Sequence, residues 1–349
     1  MNADASMQVA MLLGPEHIEV RRVPRPVPDT GEVLLRIGAA TTCGTDVKVF
    51  RRGGHPRMLV APTAFGHEMA GTIAECGASV TRFTPGDRVV VSNSAPCGDC
   101  AACRRGRENL CSDLHYLNGA FAEYIIVPER FVARSLYPLP PDMSFQRAAL
   151  TEPLACVVHG MEACAPFLSQ RADVLVLGGG PIGLLFVATL AREGHRVLLA
   201  DPNPSRLQVG RRMGATHLLQ ACREGGQEGE IRALFPDGAD VAIDCTGTPL
   251  GWQVVLDAVK IGGMVNLFGG CAPGTSVALD THRIHYSEIT VKGVYHHRPS
   301  TFARALDYLD QDDFPADHLL GATRPISEVE QALRSMIDKQ NLKVVISNR

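Results

Sequence analysis

The sequence predicts an α/β protein in which a doubly wound, parallel-sheet domain is combined with a β-rich domain. A strand–turn–helix–strand pattern occupies Asp173–Asp201, with glycines at its turn. Short Gly- and Val-rich strand patterns dominate the region before it, and alternating strands and amphipathic helices follow it. With 349 residues, 45% of them hydrophobic, the chain is long enough for two domains with buried cores.

Composition excludes several classes of function. The formal net charge of −3 argues against a nucleic-acid partner. The beginning of the chain, MNADASMQVAML, has no basic segment followed by a long apolar one, which predicts no signal peptide and a cytoplasmic protein. Residues 174–191 carry no charge, but their three consecutive glycines and one proline favour strand, turn and helix over a membrane span. We therefore expect no membrane association.

The β-rich domain is predicted from the first 155 residues. GEVLLRIGAA has strand composition and leads into Cys43-Gly44-Thr45-Asp46. Turn and strand signals follow in GHEMAGTIAECG and TPGDRVVV, and FAEYIIVP is a further strand. From about residue 144 to 168 the pattern becomes helical.

The doubly wound domain is predicted to be an insertion. DVAIDCTG, GGMVNLFG and ITVKGVY are typical of further parallel strands, with a helix over 250–259. STFARALDYLDQ and ISEVEQALRSMID predict amphipathic helices near the end of the chain, and KVVIS predicts a closing strand. The resulting boundaries are 1–155 with 297–349 for the β-rich domain, and 156–296 for the doubly wound domain.

The turn after the first strand of Asp173–Asp201 predicts a dinucleotide-binding site. Glycine allows a tight turn and close approach of the backbone to a pyrophosphate, and the following helix start offers unpaired N–H groups. G-x-G-x-x-G spacing alone is weak, but here a strand precedes it, a helix follows it, and an acid ends the next strand. The residues predicted to form this part of the site are Gly178, Gly180, Pro181, Ile182 and Gly183.

Asp201 decides the predicted choice of cofactor. A carboxylate at the end of the second strand can accept hydrogen bonds from a ribose diol, and it repels a 2′-phosphate. Pro202 and Asn203 follow, so the sequence favours NAD over NADP. Arg206 is either a contact close to the adenine or a surface charge on the helix.

The second strong motif is a cysteine-rich loop over 97–111. Cys97-x2-Cys100-x2-Cys103-x7-Cys111 places four thiolates within a short segment, which suits tetrahedral zinc with every position filled by protein. Such a closed site is structural rather than catalytic. An iron–sulfur cluster or disulfides are the alternatives, and the x7 spacing without a following proline disfavours the cluster.

The sequence evidence for a second, open metal site is weaker, because no single residue indicates it clearly. Cys43, His67, Glu68 and Glu152 have the right chemistry, yet each has an ordinary explanation. A lone cysteine is commonly a small buried hydrophobe, a histidine beside glycine is commonly a turn residue, and an acid at a helix start interacts with the helix dipole. Only their combination with the nucleotide fold and the four-cysteine loop favours a site.

Taken together, these motifs resemble those of the zinc-dependent medium-chain dehydrogenases, the superfamily of alcohol, sorbitol and threonine dehydrogenases. The resemblance covers essentially the whole chain. It rests on CGTD at 43–46, GHE at 66–68, the four-cysteine loop, GAFAEY at 119–124, EPL at 152–154 and GGGPIG at 178–183. It implies a GroES-like catalytic domain, a Rossmann domain, two zinc ions per chain, and a homodimer or homotetramer.

The resemblance also implies roles for individual residues. Cys43 and His67 are catalytic zinc ligands in this interpretation, and either Glu68 or Glu152 completes the protein ligands. Thr45 is expected to accept the alcohol proton and pass it on. Lys48 stands where many relatives have a relay histidine, so it either contacts substrate or leaves the relay to water.

The predicted activity is hydride transfer from a secondary alcohol of a polyol, sugar alcohol or cyclitol to NAD. The branch of the superfamily with glutamate in an E-P-L context implies this substrate class. An amino-alcohol dehydrogenase, such as L-threonine 3-dehydrogenase, is the alternative enzyme, and Lys48 weakens it. A non-catalytic protein that binds zinc and nucleotide is a further alternative, although the residues of the open site are all present.

Overall fold

A computed structural model describes residues 6–222 and 226–347. These residues form two compact units. The first comprises the described residues through Ala155, Arg298–Gln311, and the described residues from Leu319 onward. The second comprises Cys156–His297 and Asp312–His318. The short segment Asp312–His318 therefore belongs to the second unit, whereas the boundaries drawn from the sequence placed it in the β-rich domain.

Twenty strands are described. They are β1 (Ser6–Gly14), β2 (His17–Pro24), β3 (Val33–Thr41), β4 (Gly54–His55), β5 (Leu59–Val60), β6 (Thr63–Ala64), β7 (Glu68–Cys76), β8 (Arg88–Val91), β9 (Ser94–Ala95), β10 (His115–Tyr116), β11 (Tyr124–Val127), β12 (Leu136–Pro138), β13 (Asp173–Leu177), β14 (Arg196–Asp201), β15 (His217–Gln220), β16 (Ala239–Asp244), β17 (Val259–Leu267), β18 (Thr290–Gly293), β19 (Leu320–Arg324) and β20 (Lys343–Ile346).

Eleven α-helices accompany them within the described residues. They are α1 (Gly44–Arg52), α2 (Glu129–Arg134), α3 (Phe145–Ala148), α4 (Thr151–Cys164), α5 (Pro181–Arg192), α6 (Pro204–Arg212), α7 (Glu228–Leu234), α8 (Pro249–Ala258), α9 (Thr281–Tyr286), α10 (Pro299–Leu309) and α11 (Val329–Ile337).

The first unit is built on a seven-stranded sheet. Its main path is β12-β8-β7-β3-β20-β19, and β11 also pairs with β3. Strand β20 comes from the end of the chain and pairs antiparallel with β3, so that Val345 faces Thr41. Because β7 pairs with β3 on its other side, with Glu68 opposite Thr41, three distant segments meet at one end of β3. This convergence assembles the open site.

Helix α1 is a feature of the first unit that the sequence patterns did not predict. Its N-cap is Cys43, and the cap is reinforced by the side chain of Asp46, which accepts a hydrogen bond from the Cys43 N–H. It ends at Arg52, and its C-cap Gly53 adopts φ +76 in the left-handed region. A cysteine is an unusual N-cap, which explains why helix-start signals did not reveal this helix.

The second unit contains a six-stranded parallel sheet in the order β15-β14-β13-β16-β17-β18. Its central strands are buried on both faces, since every residue of Val174–Leu177 and Val241–Asp244 is buried. The chain leaves β13 toward β14 on one side and later returns to add β16 on the other. This is the predicted doubly wound Rossmann arrangement, and it is confirmed.

The uncharged stretch at 174–191 divides into β13, a turn and α5, as predicted. Within residues 6–222 and 226–347, no helix combines the length and the apolar character needed to cross a bilayer.

Candidate active site and metal centres

The four cysteines of the 97–111 loop converge in the first unit. The Sγ atom of Cys97 lies 3.9 Å from that of Cys103 and 3.4 Å from that of Cys111, and Cys100 Sγ lies 3.9 Å from Cys111 Sγ. A tetrahedron with zinc–sulfur bonds of about 2.3 Å has edges of about 3.8 Å. The sulfur positions therefore fit one tetrahedral zinc ion.

The loop also supplies hydrogen bonds to its own sulfurs. Backbone N–H groups of Cys97 and Asp113 donate to Cys111 Sγ, and those of Cys100 and Cys103 donate to Cys97 and Cys100, at 3.3–3.5 Å. The donors of Cys103 and Ser112 lower the pKa of the Cys100 thiol to about 5, whereas burial raises that of Cys103 to about 12. Such N–H···S contacts stabilise thiolates, the form that binds metal.

The open site begins at Cys43, which lies at the N-terminal end of α1. Its Sγ accepts the Thr45 N–H at 3.4 Å, and the positive end of the helix dipole favours negative charge there. Cys43, His67 and Glu68 each place a ligand-type atom within 4.8 Å of the other two. One thiolate, one imidazole and one carboxylate form a donor set that suits catalytic zinc with a position left for substrate.

Asp46 holds His67 in place. The Asp46 Oδ1 atom lies 2.9 Å from His67 Nδ1, and both side chains are almost completely buried. Burial opposes the charged imidazolium, but the Asp46 carboxylate outweighs it and raises the pKa of His67 well above its usual range. A carboxylate on Nδ1 leaves Nε2 as the metal-binding nitrogen, the arrangement commonly found around zinc-bound histidine.

Glu68 is held by a lysine that is distant in sequence. The Lys343 ammonium donates to Glu68 Oε1 at 2.7 Å and Oε2 at 2.5 Å, and to the Thr42 carbonyl at 2.9 Å. The Thr41 hydroxyl also donates to Glu68. Burial alone would lower the pKa of Lys343, but the Glu68 carboxylate outweighs it and raises that pKa. The charges compensate each other, which allows two fully buried ionic groups at this position.

Glu152 lies in the first turn of α4, buried close to the same cluster. Burial raises the pKa of its carboxyl to about 7, with opposing contributions from the neighbouring charges of His67 and Glu68. Close to neutral pH this side chain can therefore gain or lose a proton, as an acid–base group must.

Thr45 and Lys48 both lie on α1, with different exposure. Thr45 is half-buried in the first turn, next to the Cys43 cap, whereas Lys48 is exposed one turn further on. Burial lowers the pKa of His55, and the charges of Arg57, His67 and Lys48 act in the same direction. The charge of Lys48 therefore acts on His55, which the charge of His67 also affects.

In the second unit, the glycine turn has the geometry that close approach of a phosphate needs. Gly178 adopts φ +103, and a Cβ on Gly183 would lie 1.9 Å from the Gly178 carbonyl oxygen. Gly180 caps α5, with Pro181 and Ile182 opening the helix. A Cβ built on Gly180 would meet nothing within 4 Å, so its outer side is open. The turn presents the N-terminus of α5 to this open space.

Asp201, at the end of β14, accepts a hydrogen bond from the same turn. It is 3% exposed, its Oδ2 accepts the Gly179 N–H at 2.7 Å, and its Oδ1 accepts the Asn203 N–H at 2.7 Å. Each carboxylate oxygen retains further capacity to accept a hydrogen bond. The Arg206 guanidinium lies 3.8 Å from Asp201 Oδ2 and is one-quarter exposed.

Two family models match the chain. "Alcohol dehydrogenase GroES-like domain" matches residues 29–140, and "Zinc-binding dehydrogenase" matches residues 181–311. Sorbitol dehydrogenase of Bacillus subtilis (strain 168) is 30% identical over 98% of this chain and 97% of its own length. The chain belongs to the zinc-dependent medium-chain dehydrogenase superfamily. It is an alcohol dehydrogenase-type, zinc-binding oxidoreductase, and the predicted GroES-like and Rossmann folds are confirmed.

Other relatives show how broad this similarity is. L-threonine 3-dehydrogenase of Chromobacterium violaceum is 29% identical over 98% of this chain and 99% of its own length. Among solved structures, a zinc-binding dehydrogenase from Sinorhizobium meliloti 1021 bound to NADP has a TM-score of 0.89 at 27% identity, covering 98% of this chain and 99% of that one. The 2R,3R-butanediol dehydrogenase of Bacillus subtilis has a TM-score of 0.87 at 25% identity, with 99% and 100% covered.

Three residues that support the candidate ligands were not predicted from the sequence. Asp46 is part of CGTD, and a carboxylate three residues after a candidate ligand was an available signal. Lys343 could be suspected only as a charge beginning the apolar KVVIS strand. Thr41 gave no signal, because its role depends on the pairing of β3 with β7.

Proposed function

We propose that this enzyme oxidises a secondary alcohol that carries neighbouring hydroxyl groups, with NAD as the hydride acceptor. The observation that carries the proposal is the set of half-buried Cys43 with buried His67 and Glu68, whose ligand-type atoms lie within 4.8 Å of one another. Similarity to a sorbitol dehydrogenase along nearly the whole chain supports a polyol, sugar alcohol or cyclitol as the substrate class.

Glu68 is the third protein ligand in this proposal. It belongs to the donor set, and Lys343 and Thr41 orient its carboxylate. Glu152 is assigned the neighbouring acid–base role, because its pKa of about 7 suits proton exchange close to neutral pH. In Glu68→Gln we expect zinc to be lost from the open site, whereas Glu152→Gln retains zinc and loses activity. Metal analysis of the two variants separates the roles, and the reverse pattern would exchange them.

The chain's own residues perform the remaining steps. Bound zinc supplies a Lewis acid that makes an alcohol hydroxyl more acidic, and a bound nicotinamide supplies the hydride acceptor. Asp46 accepts a hydrogen bond from His67 Nδ1 and so leaves Nε2 as the nitrogen that would bind zinc, with release of the second proton that the raised pKa favours. In this proposal Thr45, which lies in the first turn of α1, accepts the alcohol proton. Lys48, exposed on the same helix, is a candidate contact for a substrate hydroxyl.

NAD is the proposed cofactor because of Asp201. A 2′-phosphate beside this buried carboxylate would meet like charge, whereas a free 2′-hydroxyl can donate to it. The Arg206 guanidinium is also close, but its charge is partly neutralised by its contact with Asp201. Initial rates with NAD and NADP at equal concentration test the choice, and a preference for NADP would contradict it.

The substrate class is tested by a panel of alcohols. We expect sorbitol, xylitol or myo-inositol to be oxidised with kcat/KM at least about tenfold above that for ethanol. L-Threonine is included because relatives at 29% identity carry the name L-threonine 3-dehydrogenase, which makes an amino alcohol the second candidate. Preference for L-threonine would replace the polyol proposal, and preference for ethanol would contradict both.

The proposal also includes the oligomeric state. We expect a homodimer or homotetramer, as is common in this superfamily. Size-exclusion chromatography with light scattering measures it, and a 37.5 kDa species at micromolar concentration would contradict it.

A further inference from the structure

The loop that follows β16 lies beside the glycine turn. Leu177, at the end of β13, pairs with Asp244, at the end of β16. The chain turns in opposite directions on the two sides of this strand pair, and doubly wound sheets bind ligands outside the carboxyl ends at such a point. Gly178 begins the loop after one strand, and Cys245–Thr248 forms the loop after the other.

Asp244 organises this second loop through its side chain. It is completely buried, and its Oδ1 accepts the Thr246 N–H at 3.1 Å and the Thr246 hydroxyl at 2.6 Å. Its Oδ2 accepts the Gly247 N–H at 3.0 Å. One carboxylate thus fixes two consecutive peptide groups and a side chain, the pattern by which aspartate builds a tight turn.

Two glycines leave the space that this carboxylate occupies. A Cβ on Gly269 would lie 2.5 Å from Asp244 Oδ2, and a Cβ on Gly251 would lie 2.6 Å from Oδ1. Gly247 itself adopts φ +65, and a Cβ there would lie 2.7 Å from the Gly270 carbonyl oxygen. Glycine at these three positions therefore leaves room for the Asp244 carboxylate and for the turn that it stabilises.

The turn contacts the glycine fingerprint directly. The Cys245 N–H donates to the Leu177 carbonyl at 2.8 Å. A Cβ on Gly178 would lie 3.2 Å from Thr246 Cγ2, so the threonine methyl group packs close over the first glycine. Thr246 is itself exposed, so it forms part of the surface next to Gly178. A change in this turn would move one wall of the space into which the α5 N-terminus opens.

We propose that Asp244 is a positioning residue for the dinucleotide: its carboxylate holds the Thr246–Gly247 turn against Gly178 and so shapes the second wall of the cofactor site. The inference rests on the proposed use of a nicotinamide dinucleotide. Asp244 does not itself contact the cofactor. It acts through Thr246, so its loss weakens cofactor binding and leaves the metal site and the alcohol-binding residues unchanged.

Asp244→Asn in the zinc-loaded full-length enzyme tests this inference. The amide cannot accept from both Thr246 and Gly247 as the carboxylate does, so one backbone N–H of the turn loses this acceptor. We expect a dissociation constant for NADH, measured by fluorescence titration, about tenfold higher than in the wild type. The KM for NAD should rise in parallel, with kcat at saturating NAD, the KM for the alcohol and the zinc content unchanged.

Asp240→Asn is the matched control. Asp240 lies on the same strand at its opposite end, where it accepts the Asp173 N–H at 2.7 Å and pairs with Lys260. Its loss should lower the melting temperature and leave the dissociation constant of NADH within twofold of wild type. If Asp240→Asn weakens NADH binding as much as Asp244→Asn, a general structural effect explains both and the proposal is overturned.

Thr246→Val keeps the test decisive if Asp244→Asn fails to fold. Valine retains a methyl group over Gly178 and removes only the hydroxyl, so we expect about threefold weaker NADH binding. An unchanged dissociation constant in this variant, or in folded Asp244→Asn, overturns the positioning role alone. A wild-type enzyme that binds neither NADH nor NADPH instead overturns the proposed dinucleotide function.

Discussion

The two metal-ligand clusters of the first unit are assembled in opposite ways. The four-cysteine cluster lies within residues 97–111, and the backbone of the same loop donates to its sulfurs. The open cluster combines Cys43 with His67 and Glu68, and the ammonium that holds Glu68 comes from Lys343, 275 residues away. The closed site is therefore a local property of one loop, whereas the open site depends on the pairing of strands in the sheet.

Removing a ligand from the open site should have the largest effect on activity. We expect Cys43→Ala to lower kcat/KM by at least about 10³-fold, because the metal that makes the alcohol acidic is lost. Zinc content should fall from two ions per chain to one, and the melting temperature should change little. Full activity in this variant would refute the assigned metal role of Cys43.

Removing a ligand from the closed site should affect stability instead. Cys103→Ser leaves three thiolates, and we expect the free energy of unfolding to fall by about 4 kcal/mol, because zinc binding contributes to the folding of such loops. Urea unfolding monitored by circular dichroism measures it. Any zinc that remains should be in the open site, with activity retained in the folded fraction. Unchanged stability would argue that the four-cysteine loop folds without metal.

Breaking the ion pair between Lys343 and Glu68 should show that the open site depends on a distant segment of the chain. Lys343→Met leaves the Glu68 carboxylate fully buried without its ammonium, and we expect a loss of about 3 kcal/mol in the free energy of unfolding. The double variant Lys343→Met with Glu68→Gln removes the uncompensated charge and should recover part of the loss. If the double variant is less stable than Lys343→Met alone, the charge-compensation argument is wrong.

The smallest of these effects should come from the residue that orients His67. Asp46→Asn keeps the shape of the side chain but removes the charge that acts on His67 Nδ1. We expect zinc affinity of the open site, or kcat/KM, to fall by about 10- to 100-fold. Competition with a chelator measures the affinity, and zinc of the four-cysteine site should be unaffected. Equal weakening of both zinc ions would show that the effect is not specific to His67.

The second unit shows which features could be predicted from sequence patterns and which could not. The strand, glycine turn and helix of Asp173–Asp201 were predictable because each depends on residues close in sequence, and β13, α5 and β14 have the expected bounds. The role that we assign to Asp244 was not predictable, since it depends on the pairing of β13 with β16, which α5, β14, α6, β15 and α7 separate in the chain.

Local spacing and side-chain chemistry were sufficient to predict the family, the glycine turn and the four-cysteine cluster from the sequence. The sequence also supplied the candidates Cys43, His67, Glu68 and Glu152, but not their different roles. Only the tertiary structure placed Lys343 against Glu68 and Asp46 against His67, leaving Glu152 with a carboxyl pKa of about 7. The physical reason is that burial and charge compensation belong to segments brought together by β3, β7 and β20.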